Sequence, residues 1–280
     1  MKKVLNLSII TLFTLTFLPQ TSYSADVCTR SKAIKRSLEE ILKKSCNEIS
    51  ESDLNSISTL TISDIGTIET SDFNDLSSLK ELTLVTLWAK TLPDALFAKL
   101  ENLEVLNLEY FFPKTLNAPE NLLNGLNKLK IFRIKESFIK TIPVKFFAGL
   151  ESLEEIHITD GLLESLPDGV FSDLSSLEVL DLSKNRLNML QEDLLENLSN
   201  LINLDLSYNL LETIPEGTFD GLVKAKYISL VKNKLQNVSE DLFVNNRDLK
   251  LLSVGYNPFS ERDKDTIRQG IYSQETKILF

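Results

Sequence analysis

The chain has 280 residues, 42% of them apolar, and its 40 Asp plus Glu outnumber 30 Lys plus Arg to give a net charge of −10. That balance argues against a nucleic-acid partner, because binding phosphate needs a basic stripe. The apolar content is ample for a continuous core, and in a repeat array length counts repeats instead of domains.

The chain opens with Lys2 and Lys3, an apolar run from Leu5 to Leu18 broken only by Asn, Ser and Thr, then Pro19 and the small-residue site Ser22-Tyr23-Ser24. This charged, apolar, cleavable order is that of a secretory signal peptide over residues 1–24. The run is shorter than the ~20 apolar residues of a membrane span. Cleavage near Ser24 removes both lysines and leaves a net charge of about −12. Val27 precedes Cys28 where a lipoprotein cleavage box needs a small residue. No later apolar run is long enough to cross a membrane, so the expected product is secreted or periplasmic.

Residues 25–56 read as a helical cap. Ile34, Leu38, Ile41, Leu42 and Cys46 fall on one face of a helix predicted over Thr29–Ser45, with Lys and Glu opposite. Ser50, with Asp53 three residues on, starts a shorter helix ending near Ile57. Such a cap covers the open apolar end of a solenoid.

Residues 57–257 repeat. Leu177, Leu180, Leu182, Asn185 and Leu187 are answered 24 residues later by Leu201, Leu204, Leu206, Asn209 and Leu211. Strand-leading positions at Ile57, Leu79, Leu103, Leu129, Leu153, Leu177, Leu201, Ala225 and Leu249 predict nine strands, spaced by 22 residues in the first unit, 26 in the third and 24 elsewhere. The third unit's extra residues lie between Phe111 and Leu126, where Pro113 and Pro119 forbid regular structure. Within each strand alternate residues point inward, and stacking at ~4.8 Å gives one parallel sheet roughly 40 Å long. Phe97, Phe147, Phe171, Phe219 and Phe243 make the return leg bulkier, which places the sheet on the concave side. Asn185, Asn209, Asn233 and Asn257 sit where the chain leaves the strand and can satisfy buried turn backbone. Ile65, Leu87, Phe111, Ser137 and Gly161 replace them earlier, so those coils are expected to be less regular, with Leu87, Trp88, Phe111 and Phe112 filling space. Residues 258–280 read as a carboxy-terminal cap: a helix begun by Ser260, with Ile267 inward and Gly270 at its end, then a short strand over Lys277–Phe280.

The pattern L-x-x-L-x-L-x-x-N-x-L resembles the extracellular-type leucine-rich repeat. The order Val27-Cys28, helix, Cys46, short helix, first repeat is similar to the cap of secreted bacterial leucine-rich-repeat proteins and, more distantly, of internalins. The resemblance implies an α/β fold: a curved right-handed solenoid with about nine parallel strands on its concave face, a helical amino-terminal cap and a helix-strand carboxy-terminal cap. Two cysteines in an oxidising compartment suggest a bridge between Cys28 and Cys46. Yet a helix of ~12–15 residues between them would be roughly 18–22 Å long, against the ~7 Å limit for bridged Cα atoms. A bridge needs a short helix or residues 28–31 folded back along it; otherwise both are buried thiols.

The outward strand positions form the expected binding surface. Arg133, His157, Asp181 and Asp205 occupy consecutive rungs, Lys135 flanks them, Tyr227 stands two positions before the next rung, and Tyr110, Tyr208 and Tyr256 line the sheet edge. Tyrosine and arginine on an exposed face are the composition of protein-interface anchors. The first expectation is a monomeric, non-enzymatic secreted module binding a protein ligand on the concave face, without cofactor or metal. A carbohydrate- or cell-surface-binding adhesion factor is the second. A hydrolase built on Ser183, His157 and Asp181 is a remote third, since an open sheet offers no evident oxyanion hole or pocket, and after the cap no residues remain for a catalytic module. Asp181 and Asp205 are also the one pair placed to share a cation. Asn197-Leu198-Ser199 and Asn237-Val238-Ser239 match the glycosylation pattern, which carries little meaning in a bacterial protein.

Overall fold

The periodic leucines become one parallel sheet. In the computed structural model, which describes residues 26–88, 92–111, 117–271 and 275–280, ten strands lie in sequence order: β1 Thr59–Ile65, β2 Glu81–Leu87, β3 Val105–Phe111, β4 Ile131–Lys135, β5 Glu155–Thr159, β6 Val179–Asp181, β7 Asn203–Asp205, β8 Tyr227–Ser229, β9 Leu251–Ser253 and β10 Lys277–Leu279. Every neighbouring pair is parallel, and the register joins equivalent repeat positions, so that Asn107, Arg133, His157, Asp181, Asp205, Ser229 and Ser253 form one outward row. The intervening residues, from Leu60 and Ile62 to Leu252 and Val254, are buried in a single core that runs the length of the array. The return-leg phenylalanines stack within it, Phe147 on Phe171 at 5.9 Å and Phe219 on Phe243 at 5.5 Å.

Strand length falls along the array, and the asparagine ladder is the cause. Asn185, Asn209, Asn233 and Asn257 each send their amide to a carbonyl of the preceding strand end and to one of their own, while the side-chain oxygen accepts the N–H of a leucine one coil earlier. These bonds hold the corner beside backbone bonds such as Lys184 N–H to Ser207 O and Tyr208 N–H to Val231 O, and strands β6–β9 are three residues long. Where Ile65, Leu87 and Phe111 stand instead, the side chains are buried and the backbones pair with each other, extending β1–β3 to seven residues. The coils expected to be less regular therefore carry the longest strands. Trp88 does not fill the corner as expected: it is 58% exposed. Phe112 and Pro113 lie outside the described residues.

The amino-terminal cap departs from expectation in one respect that decides the cysteine question. Helix α1 spans Lys32–Leu42 and stops at Lys43, which adopts a left-handed φ of 53°. Ile34 and Leu38 are buried as expected, whereas Ile41 is 49% exposed. The helix is short and residues 27–29 turn back beside it, so Cys28 and Cys46 are bridged with Cα atoms 5.1 Å apart. Helix α2, Glu51–Leu54, carries the expected capping box between Ser50 and Asp53. At the other end α3, Glu261–Gly270, starts at Ser260 with a capping box to Asp263 and buries Ile267. The predicted leader, residues 1–24, lies outside the described residues. No helix among the described residues is long and apolar enough to cross a membrane.

Candidate functional site

The sheet face brings three of the expected residues, Arg133, His157 and Asp181, together through a fourth that residue type alone did not single out. Arg133 on β4 donates to Glu155 Oε2 at 2.8 Å, His157 Nε2 lies 3.2 Å from the same oxygen, and His157 Nδ1 lies 3.7 Å from Asp181 Oδ2. Glu155 and His157 are two positions apart on β5, so both side chains leave the same face, and Glu155 becomes the hub joining Arg133 to the histidine. Asp181 accepts the Ser183 N–H at 2.9 Å and Asp205 accepts the Ser207 N–H at 2.8 Å, which fixes each carboxylate at its strand end.

The hydrogen bond to Asp181 pushes the His157 pKa above its ordinary 6.5; burial and Arg133 oppose this, and Glu155 adds to it. For Asp181 burial acts upward, but bonds from His157 and from the Ser183 hydroxyl and N–H outweigh it and hold the carboxyl below its usual range. Proton linkage follows from these directions. The His157 contribution to stability is complete below pH ~6.5 and fades as pH rises through its higher folded value, while that of Asp181 is present above pH ~3.9 and fades as pH falls through its lower one. An NMR titration of the His157 ring should give a midpoint above 6.5 in the native protein and a lower one in Asp181→Asn; an unchanged midpoint in the variant would remove Asp181 as the cause.

His157 turns Nε2 to Glu155 and Nδ1 to Asp181, so neither ring nitrogen is directed at the Ser183 hydroxyl as the base of a hydrolytic triad would be. Among the described residues no group of three or more His, Cys, Asp or Glu is placed to hold a metal ion.

Next to this cluster the sheet face sinks into a depression of about 260 Å³ spanning β5–β9, lined among others by His157, Val179, Asp181, Asn203, Asp205 and Tyr227, with Leu251 closing the far side. Val179, Asn203 and Leu251 stand in register with Tyr227, two positions before the rung that carries the charges. Their outward direction is legible in the strand pattern; their shared recess is not.

The remaining tyrosines are corner residues. Tyr110, Tyr208 and Tyr256 hold left-handed φ of 52°, 55° and 59°, as do Glu136, Asp160, Lys184 and Lys232 in the intervening coils. Without glycine this costs about 1–2 kcal/mol per residue, offset by N–H bonds to the next coil such as Tyr208 to Val231 O and Lys232 to Gly255 O. Lys232 lies over both the Tyr208 and Tyr256 rings, at 4.5 and 5.3 Å. Tyr256 is 80% exposed. Tyr110 stands four coils from Tyr208 and does not join this stack, and Lys135 is exposed at the end of β4, outside the Arg133 cluster.

Residues 127–187, 151–211 and 176–235 match the leucine-rich repeat family model, and residues 28–118 match the BspA type leucine-rich repeat region. No curated protein matches the sequence. Among solved structures, TLR13 in its complex with ssRNA13 aligns over 80% of this chain with 23% identity and a TM-score of 0.66. The Toll protein of the Toll–Spatzle complex, from Drosophila, aligns over 86% with 20% identity and a TM-score of 0.48. The chain spans 30% of the length of the first and 40% of the second. Ten parallel strands in repeat register, the asparagine ladder and family matches over both halves of the array establish that the chain belongs to the leucine-rich repeat proteins.

Proposed function

We propose that the protein is an exported, non-enzymatic binding module that docks a protein ligand on its concave sheet, between the Arg133 cluster and the Tyr208–Lys232–Tyr256 edge. The observation that carries this reading is the outward row itself. Its polar groups are held by bonds to their own strand ends and by ion pairs, so the surface is preformed and loses little entropy on binding. Tyr208 and Tyr227 are each 45% exposed beside it, which supplies the aromatic anchors typical of interface hot spots. Export is supported by the Lys2-Lys3 leader with its cleavable Ser22-Tyr23-Ser24 end and by the Cys28–Cys46 bridge, which needs an oxidising compartment. TLR13 is solved with a single-stranded RNA, but here a net charge of −10 and carboxylates on the sheet face oppose a phosphate backbone.

The test compares capture of ligand from candidate target surfaces by the native protein and by an Arg133→Ala, Tyr208→Ala, Tyr227→Ala triple variant. Loss of about 30-fold or more in affinity is expected, equivalent to one hot spot of ~2 kcal/mol. A control with Val144→Ala and Val223→Ala, both exposed on the return leg, should bind unchanged. Undiminished binding by the triple variant would place the ligand elsewhere.

A further inference from the structure

We propose that the depression across β5–β9 is the anchoring pocket for a lysine or arginine side chain of the protein ligand, its cationic head on Asp205 and its aliphatic stem between Val179, Tyr227 and Leu251. This rests on the reading that a protein docks on the concave face.

The argument begins from unequal neutralisation. The ion pairs on this face run from Arg133 through Glu155 to His157 and end at Asp181. Among the described residues Asp205, the next rung, receives the Ser207 N–H on Oδ1 and no ion pair, and no lysine or arginine is among the residues lining the depression. A half-buried carboxylate set in a recess is screened less than one on an open surface. A partner group that covers it without compensating its charge leaves it desolvated and unpaired, which is strongly unfavourable. An anion is repelled by Asp181 and Asp205 together, and an apolar side chain leaves Asp205 unpaired. A cation on an apolar stem meets both requirements.

Shape agrees with charge. A volume of about 260 Å³ is below the roughly 300–1,000 Å³ of drug-sized ligand sites and suits one long side chain. The walls are Val179, Leu251 and the ring of Tyr227. A cation beside a half-exposed tyrosine is an arrangement this surface already forms once, where Lys232 lies over Tyr208 and Tyr256.

The probe is the peptide acetyl-Ala-Arg-Ala-amide, compared with its citrulline counterpart, which keeps the shape and loses the charge. Binding is read from backbone amide shifts, with the Ser207 N–H reporting on Asp205 and the Ser183 N–H on Asp181. The arginine peptide is expected to shift Ser207 and Tyr227 saturably and to bind at least about fivefold more tightly than the citrulline peptide, in keeping with close charge pairs across interfaces. Asp205→Asn keeps an acceptor for Ser207 and removes only the charge; it should abolish the difference between the peptides. Equal binding of the two peptides, absence of shifts at Ser207, or an arginine preference that survives Asp205→Asn would each overturn the proposal. If the triple variant described above loses its ligand while the arginine peptide fails here, the concave reading stands and the cationic anchor falls. If the arginine peptide binds at Asp205 while the triple variant keeps full affinity for its ligand, the recess takes a cation but does not anchor that ligand, and the docking reading falls together with the anchoring role.

Discussion

Asn209→Ala is expected to destabilise the array by about 2–4 kcal/mol, since it strands one buried donor, the Leu187 N–H, at roughly 1–3 kcal/mol, and takes one of two amide donors from each of Leu182 O and Leu206 O, which keep Asn185 and Asn233. The amide of Asn209 donates to Leu182 O at 2.9 Å and Leu206 O at 3.1 Å, and its oxygen accepts the Leu187 N–H at 3.0 Å. One side chain thus ties its own corner to that of the coil before, and alanine can replace none of the bonds. Asn257 offers the internal control. It makes the same bonds, to Leu230 O at 2.8 Å, Val254 O at 2.9 Å and from Leu235 N at 3.1 Å, but at the last asparagine-bearing coil, where it is only partly buried. Asn257→Ala should cost about half as much, because water reaches the orphaned groups there. Stability in a solenoid is summed over coils and their interfaces, so the Asn209 effect should be local first. Hydrogen exchange at Leu187 and Leu211 should accelerate before exchange at the β1–β3 amides changes. Equal losses from the two variants would mean that bond count, not burial, sets the value of the ladder.

The ladder was legible because a single residue type recurs at a fixed position and backbone accounting demands a partner there. The strand leucines, the Ser50–Asp53 capping box and the α3 helix begun by Ser260 were legible for the same reason: each is a local pattern with a local physical cause. What escaped the sequence required knowing which side chains of different coils meet. Glu155 is one more outward glutamate until the register sets it between Arg133 and His157. Lys232 is one more corner residue until its two neighbouring corners prove to be tyrosines within reach. The cysteine question turned on where α1 ends, and Lys43 gives no warning that it adopts the left-handed conformation that stops the helix. Hydrophobicity alone places Trp88 in the space at the corner, yet the preceding position, Leu87, already fills it and the indole is exposed.

A second contact between distant segments decides whether the first coil stays covered, and Asp72→Ala should expose it. Asp72 is 1% exposed on the return leg of the first repeat. Its Oδ1 accepts the Ser31 N–H at 2.6 Å, and its Oδ2 accepts the Ser31 hydroxyl at 2.5 Å and the Glu69 N–H at 2.8 Å. Ser31 is the residue that begins α1, so one carboxylate holds the start of the cap helix against the array. Beside it the Arg30 guanidinium donates to Asp72 O at 3.0 Å and Asn74 O at 2.7 Å. Burial weakens that cation's hold on its proton, with Asp75, Asp72 and Asp26 opposing. Removing the Asp72 carboxylate strands three donors and takes away one of the three negative charges near the buried arginine, leaving Asp75 and Asp26; at roughly 1–3 kcal/mol for each unpaired buried donor, the cost should be about 3–5 kcal/mol. Asp75→Ala should cost under about 1 kcal/mol, because its contact with Arg30 is 3.8 Å long and its own side chain is 43% exposed. Urea titration of both variants measures the difference, and binding of an apolar dye reports whether Leu60, Ile62 and their neighbours become accessible. The Cys28–Cys46 bridge closes the cap upon itself but makes no bond to the repeats, so it cannot substitute for Asp72. Dye binding that rises in Asp72→Ala with the disulfide intact would identify the carboxylate as what docks the cap. If instead Asp72→Ala and Asp75→Ala unfold at the same urea concentration, apolar contact of Ile34 and Leu38 with the first coil is enough by itself, and the polar latch contributes nothing to keeping the sheet's open end from other chains.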